Sequence, residues 1–160
     1  MKLKIKKSEH EDMSFVTSCC WAPDNKLYSL SEKKILIWDY NGEYQNQFVE
    51  LETNCTSIEW GPSSQISDNI ALGTSDGTLK LLSKTGKIEK IVEGAHTTAI
   101  ICIKWNSDGQ AIATSGEDGI VKIWSRLGVL RSKLVEMLLL FILLLGHLMK
   151  IICFILVIKI

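Results

Sequence analysis

The sequence has only 2 prolines and no low-complexity tract, which excludes a long disordered tail as its main feature. It has no excess of either charge, with 18 lysines and arginines against 18 aspartates and glutamates. No net field draws the chain to nucleic acid, and none is expected as a partner. The basic opening MKLKIKKSEHED is followed by no apolar stretch, so it does not read as a secretory signal. The five cysteines, Cys19, Cys20, Cys55, Cys102 and Cys153, include no CxxC pair. That leaves neither a zinc site nor a disulfide framework, and it points to a reducing, cytosolic compartment. Lys84-Thr85-Gly86-Lys87 lacks the flanking glycines of a phosphate loop and fits a hairpin turn. No metal-spaced cluster or nucleophile turn is present, so neither an enzyme nor a cofactor is expected.

What is present is clearest from His96 to Ser125. Three short apolar, β-branched runs, Ala99–Trp105, Ala111–Ser115 and Ile120–Trp124, are separated by Asn106-Ser107-Asp108-Gly109 and Gly116-Glu117-Asp118-Gly119. Short strands joined by Asp-Gly turns make a meandering antiparallel sheet. Weaker copies precede it. Strands are expected at 14–21, 26–30, 34–38 and 44–49, then at 55–60, 70–73, 78–82 and 87–92. After Leu127-Gly128 a last strand runs over 129–134.

The register is periodic. Tryptophans at 21, 60 and 105 close the first strand of each unit, in steps of 39 and 45 residues. Third strands end at Trp38, Leu82 and Trp124, in steps of 44 and 42, and a turn glycine follows four residues later at 42, 86 and 128. A period of about 40–45 residues with four strands per unit is the signature of a β-propeller.

These residues resemble the WD40 repeat family. His96, Thr114, Asp118 and Trp124 fall where that family has a hydrogen-bonded chain, His to Asp and to a hydroxyl, with the hydroxyl meeting the indole N–H. The resemblance implies a structural role, pinning a turn and satisfying a buried indole. A His, a hydroxyl and an Asp also compose a catalytic-triad set, but no oxyanion-hole or nucleophile motif accompanies them. The copies are unequal: Trp38-Asp39 is a true Trp-Asp pair with Glu32 at its turn, while the second unit keeps Asp76 but has Leu82 in place of Trp. Trp21, Trp38, Asp39, Trp60, Asp76 and Trp105 mark the repeats.

More specific phrases are Met1–Ile5, Leu27-Tyr28-Ser29, Leu82–Lys90, Gly116–Ser125 and Gly128–Ser132. In order and spacing they resemble the family of eighty-kilodalton WD-repeat subunits of intraflagellar transport complex B. The resemblance implies a non-catalytic scaffold in cilium assembly, cytoplasmic and at the ciliary base, with other complex B proteins as partners. Contact loops are expected at 22–26, 61–69 and 106–110, by position alone. The expected architecture is all-β: an incomplete WD40 propeller of about three four-stranded antiparallel blades over 1–134. Met1–Lys7 is expected as an extra edge strand.

A second region, 135–160, is expected to be an apolar helix. Two readings of it stand. With no acidic residue after Glu136, the run 137–158 is long enough to span a bilayer, which would make the chain a tail-anchored membrane protein with a cytosolic β-domain. Alternatively it reflects a shifted reading frame. The next first-strand tryptophan is due near position 145, and a one-base shift across 146–151 opens Trp-Ser-Leu-Asn-Glu-Asn there.

Overall fold

A computed structural model describes residues 15–62 and 69–134. The described residues form twelve strands and no helix. They are β1 Val16–Trp21, β2 Leu27–Ser31, β3 Lys34–Trp38, β4 Tyr44–Glu50, β5 Cys55–Trp60, β6 Asn69–Thr74, β7 Leu79–Ser83, β8 Ile88–Val92, β9 Ile100–Trp105, β10 Ala111–Gly116, β11 Val121–Ser125 and β12 Leu130–Leu134. The strands pair in chain order into three four-stranded antiparallel sheets, β1–β4, β5–β8 and β9–β12. Each strand lies within two residues of its expected range. The expected edge strand Met1–Lys7, part of the loop 61–69 and the apolar helix over 135–160 lie outside the described residues.

The hairpins follow from turn chemistry. Gly42, Gly86 and Gly128 all have a positive φ in the turn before the fourth strand, a conformation that glycine adopts without steric cost. Lys84-Thr85-Gly86-Lys87 is such a turn, with the Gly86 amide donating to the Ser83 carbonyl at 2.9 Å.

Two cores lie between the sheets. Tyr28, Leu30, Ile35 and Ile37 of the first sheet pack with Ile58, Ile70, Leu72 and Leu82 of the second. Ala71, Leu79 and Leu81 on the second sheet's other face pack with Ile100, Ile103, Ile112 and Trp124 of the third. The middle strands of the second sheet, β6 and β7, are therefore buried on both faces, which explains their largely apolar sequences. β1 runs alongside β5, and β5 alongside β9, so these three first strands line one concave surface. Each of these three strands carries a β-bulge at the same place. The pairing skips Thr17 in β1, Thr56 in β5 and Ile101 in β9. A bulge leaves one side chain out of the ladder and re-aims it.

Candidate interaction site

The structure brings His96, Thr114, Asp118 and Trp124 together. His96 lies in the connection ahead of β9, Thr114 in β10, Asp118 in the β10–β11 turn and Trp124 in β11. The Trp124 indole N–H donates to Thr114 Oγ1 at 2.8 Å, and Thr114 Oγ1 lies 2.8 Å from His96 Nε2. His96 Nδ1 lies 3.0 Å from both carboxylate oxygens of Asp118. Asp118 also accepts the backbone amides of Thr97 at 3.2 Å and Ile120 at 3.1 Å.

One proton arrangement satisfies every member. The indole donates to the hydroxyl, the hydroxyl to Nε2, and Nδ1–H to the carboxylate, which requires a neutral imidazole. The electrostatics agree. Burial lowers the His96 pKa, against the pull of Asp118. Burial pushes Asp118 up, but the hydrogen bonds from His96, Thr97 and Ile120 outweigh it and hold its carboxyl below the usual value. Gly116 makes room for the ring, since a Cβ there would lie 2.5 Å from His96 Nδ1.

The other sheets hold partial versions. In the first, the Trp38 indole donates to Ser29 Oγ at 2.7 Å. Ser29 pairs with Leu36 two residues along from the Leu27–Trp38 pair, as Thr114 does from Ile112–Trp124. In the second sheet Leu72 and Leu82 fill those two places and are fully buried. Replacing both partners of a hydrogen bond by apolar groups leaves nothing unsatisfied. Leu51 stands where His96 stands, its amide donating to the Lys33 carbonyl as the His96 amide donates to that of Gly77. Thr74, at the place of Gly116, supplies the hydroxyl that donates to Asp76, and that bond lowers the Asp76 pKa.

Asp39 accepts the amides of Asn41 and Glu43, each at 2.8 Å. Those amides, Glu43 first, hold its exposed carboxyl below the usual value. Ser83 and Ser125 occupy the same place and accept the matching amides of their own hairpins. The sequence reading passed over Ser29 and Ser83. The signal for Ser83 was its place directly after Leu82, as Ser125 directly follows Trp124; Ser29 keeps no such matching offset.

The three tryptophans that close the first strands differ in surroundings. Trp105 is buried and its indole donates to the Glu59 carbonyl at 3.4 Å, Trp60 is half-buried with its ring 5.2 Å from that of Tyr28, and Trp21 is 59% exposed.

The concave surface forms a groove of about 440 Å³ whose lining includes Thr17, Cys19, Thr56, Glu59, Ile101 and Lys104. Lys104 Nζ reaches both Glu59 oxygens at 2.8 Å across the joint between the second and third sheets. Burial raises the Glu59 pKa against that pull. Burial, helped by the Glu59 charge, pushes the Cys20 thiol up to about 12, and burial pushes Cys55 to about 11. Such thiols are poor nucleophiles. No group of three metal-ligating side chains occurs among the described residues. The arrangement suits binding, with mixed polar and apolar lining on a rigid sheet scaffold.

Comparison with known proteins places this geometry. The repeat model described as "WD domain, G-beta repeat" matches residues 2–39 and 87–125. The chain is 37% identical over 146 residues to the intraflagellar transport protein 80 homolog of Mus musculus, covering 85% of this chain and 19% of the relative. Against that of Rattus norvegicus it is 36% identical over 148 residues, with the same coverage. WD repeat-containing protein 90 of Mus musculus is 29% identical over 101 residues, 61% of this chain. The chain thus spans about one fifth of the length of the first two relatives.

Proposed function

The chain is built of WD40 repeats, and from that premise we propose that it is a non-catalytic interaction scaffold, part of an intraflagellar transport complex B subunit serving cilium assembly. The observation that carries this reading is the extent of the 37% identity, which covers 85% of the chain. That span takes in the second sheet, most of which the general repeat model leaves unmatched. A WD-repeat protein of another kind matches less of the chain at lower identity, 29% over 61% of it.

On this reading residues 1–134 are the repeat domain. The His96–Thr114–Asp118–Trp124 chain is its internal fastening, and the groove over β1, β5 and β9 is the surface offered to other complex B proteins. The working location is the cytoplasm and the ciliary base.

The test is to express the tagged full chain in ciliated cells, precipitate it and identify what comes with it, while imaging its position. Recovery of complex B proteins and enrichment at the ciliary base support the reading. A diffuse protein that brings down none of them sinks it.

A further inference from the structure

The joints between sheets carry a feature that the repeat pattern alone does not require. At the first joint the bulge residue Thr17 donates its hydroxyl to the Leu30 carbonyl at 3.3 Å within its own sheet and to the Cys55 carbonyl of the next sheet at 3.2 Å. At the second, Thr56 donates to the Gly73 carbonyl at 3.1 Å and to the Ile100 carbonyl of the next sheet. Leu30 and Gly73 are therefore equivalent positions near the end of a second strand. Cys55 and Ile100 are equivalent positions opening the next sheet's first strand.

Their side chains differ in opposite directions. The first joint pairs a large residue, Leu30, with a small one, Cys55, both buried in one cluster. The second pairs no side chain at all, Gly73, with a large one, Ile100, fully buried. A Cβ on Gly73 would lie 2.6 Å from Ile100 Cγ2 and 2.7 Å from its Cβ. Gly73 is not among the glycines with positive φ, so the backbone does not demand it. A glycine inside a strand weakens the strand and marks a close approach. The third sheet carries Ile101 at the bulge and Ser115 at the place of Leu30 and Gly73, a third combination.

We propose that these matched pairs specify which sheet follows which. The threonine hydroxyl fixes where the incoming strand lands, since it binds a backbone carbonyl that any residue offers. The Leu30–Cys55 and Gly73–Ile100 pairs then decide which strand is accepted there, because close-packed interiors tolerate neither overlap nor void. Presenting the third sheet's opening residue to the first sheet sets isoleucine against Leu30. Presenting the second sheet's opening residue to the second sheet itself sets cysteine over Gly73 and leaves a void. The two joints are not interchangeable.

A double-mutant cycle in the full chain tests this. Cys55→Ile puts the wrong opening residue against Leu30, and Leu30→Ala removes the bulk that conflicts with it. Each single substitution is expected to lower the urea midpoint. The double variant is expected to unfold at a higher midpoint than Cys55→Ile alone, with a coupling of at least about tenfold in the unfolding constant, as for residues in contact. Leu30→Val with Cys55→Val gives a milder cycle if either single variant does not fold. Additive losses in the cycle that folds would overturn the proposal, because they would mean the two positions do not read each other.

Discussion

Gly77 and His96 meet backbone to backbone. The His96 amide donates to the Gly77 carbonyl at 2.9 Å, and a Cβ on Gly77 would lie 2.2 Å from the His96 carbonyl oxygen. Gly77 also has a φ of +82°. Two independent penalties therefore fall on Gly77→Ala, the left-handed backbone and an overlap with backbone atoms. Gly94 has a φ of +62° with nothing within 4 Å of its Cβ direction, so Gly94→Ala meets only the first. Gly94→Ala is expected to cost about 1 kcal/mol, and Gly77→Ala at least about 2 kcal/mol more. Urea unfolding of the two variants side by side checks this; equal midpoints would show that the connection yields.

The buried imidazole makes stability depend on pH. Burial depresses the His96 pKa below its usual 6.5, so below that pH the unfolded chain binds a proton that the folded chain resists. Stability from His96 is therefore complete above about pH 6.5 and is lost as pH falls from there toward the folded-state value. Asp118, also depressed, adds a separate loss only below the ordinary carboxylate range. Between pH 7.5 and 5.5 the urea midpoint is expected to fall, and in His96→Gln it is expected to start lower and stay flatter. An unchanged slope in that variant would assign the dependence to another group.

The sequence was most informative where physics is local. Asp-Gly turns, β-branched runs and the spacing of Trp21, Trp60 and Trp105 place every described strand to within two residues. Thr114 and Asp118 were legible because their offsets from Trp124 match a repeat pattern. Ser29 was not, because the second and third strands of the first sheet are joined by a turn one residue shorter than in the third sheet. Ser31 pairs with Lys34 across two residues there, whereas the Gly116 amide reaches the Ile120 carbonyl across three. The bulges at Thr17, Thr56 and Ile101 left no trace in the alternation, since each sits in a run of mixed character. The Leu30–Cys55 and Gly73–Ile100 joints pair residues far apart in the chain, which no local pattern records.

Thr114 serves two buried groups at once, and the consequence is measurable. Thr114→Val leaves the Trp124 N–H and His96 Nε2 without their partner in a site where both residues are almost fully buried. Orphaning buried polar groups costs about 1–3 kcal/mol each, so a loss of roughly 2–6 kcal/mol is expected for the two. Thr114→Ser keeps the hydroxyl and is expected to retain most of the stability. In the first sheet Ser29→Ala removes one acceptor from the indole of Trp38, which is partly exposed. About 1 kcal/mol is expected there. Thermal or urea unfolding ranks the three, and a Ser29→Ala loss as large as that of Thr114→Val would contradict the account.

Glu32 offers the opposite test, a substitution that should stabilise. It has a φ of +52°, the left-handed region that glycine and asparagine enter far more readily than glutamate. The position is fixed by its surroundings, because the Glu32 carbonyl accepts the Cys55 amide at 3.0 Å and the neighbouring Lys33 carbonyl accepts the Leu51 amide at 2.7 Å. Those two bonds tie the first sheet's turn to the connection ahead of β5 and to the start of β5 itself, which holds the backbone in its strained conformation. Its side chain is exposed. Glu32→Asn is expected to raise stability by about 0.5–1 kcal/mol, keeping some restriction of the unfolded chain while easing the folded one. Glu32→Gly is expected to gain less, because the added freedom of the unfolded chain offsets part of the relief. A higher urea midpoint for asparagine than for glycine, with both above the parent, is the predicted order. A fall with asparagine would mean that the Glu32 side chain contributes more than its exposure suggests.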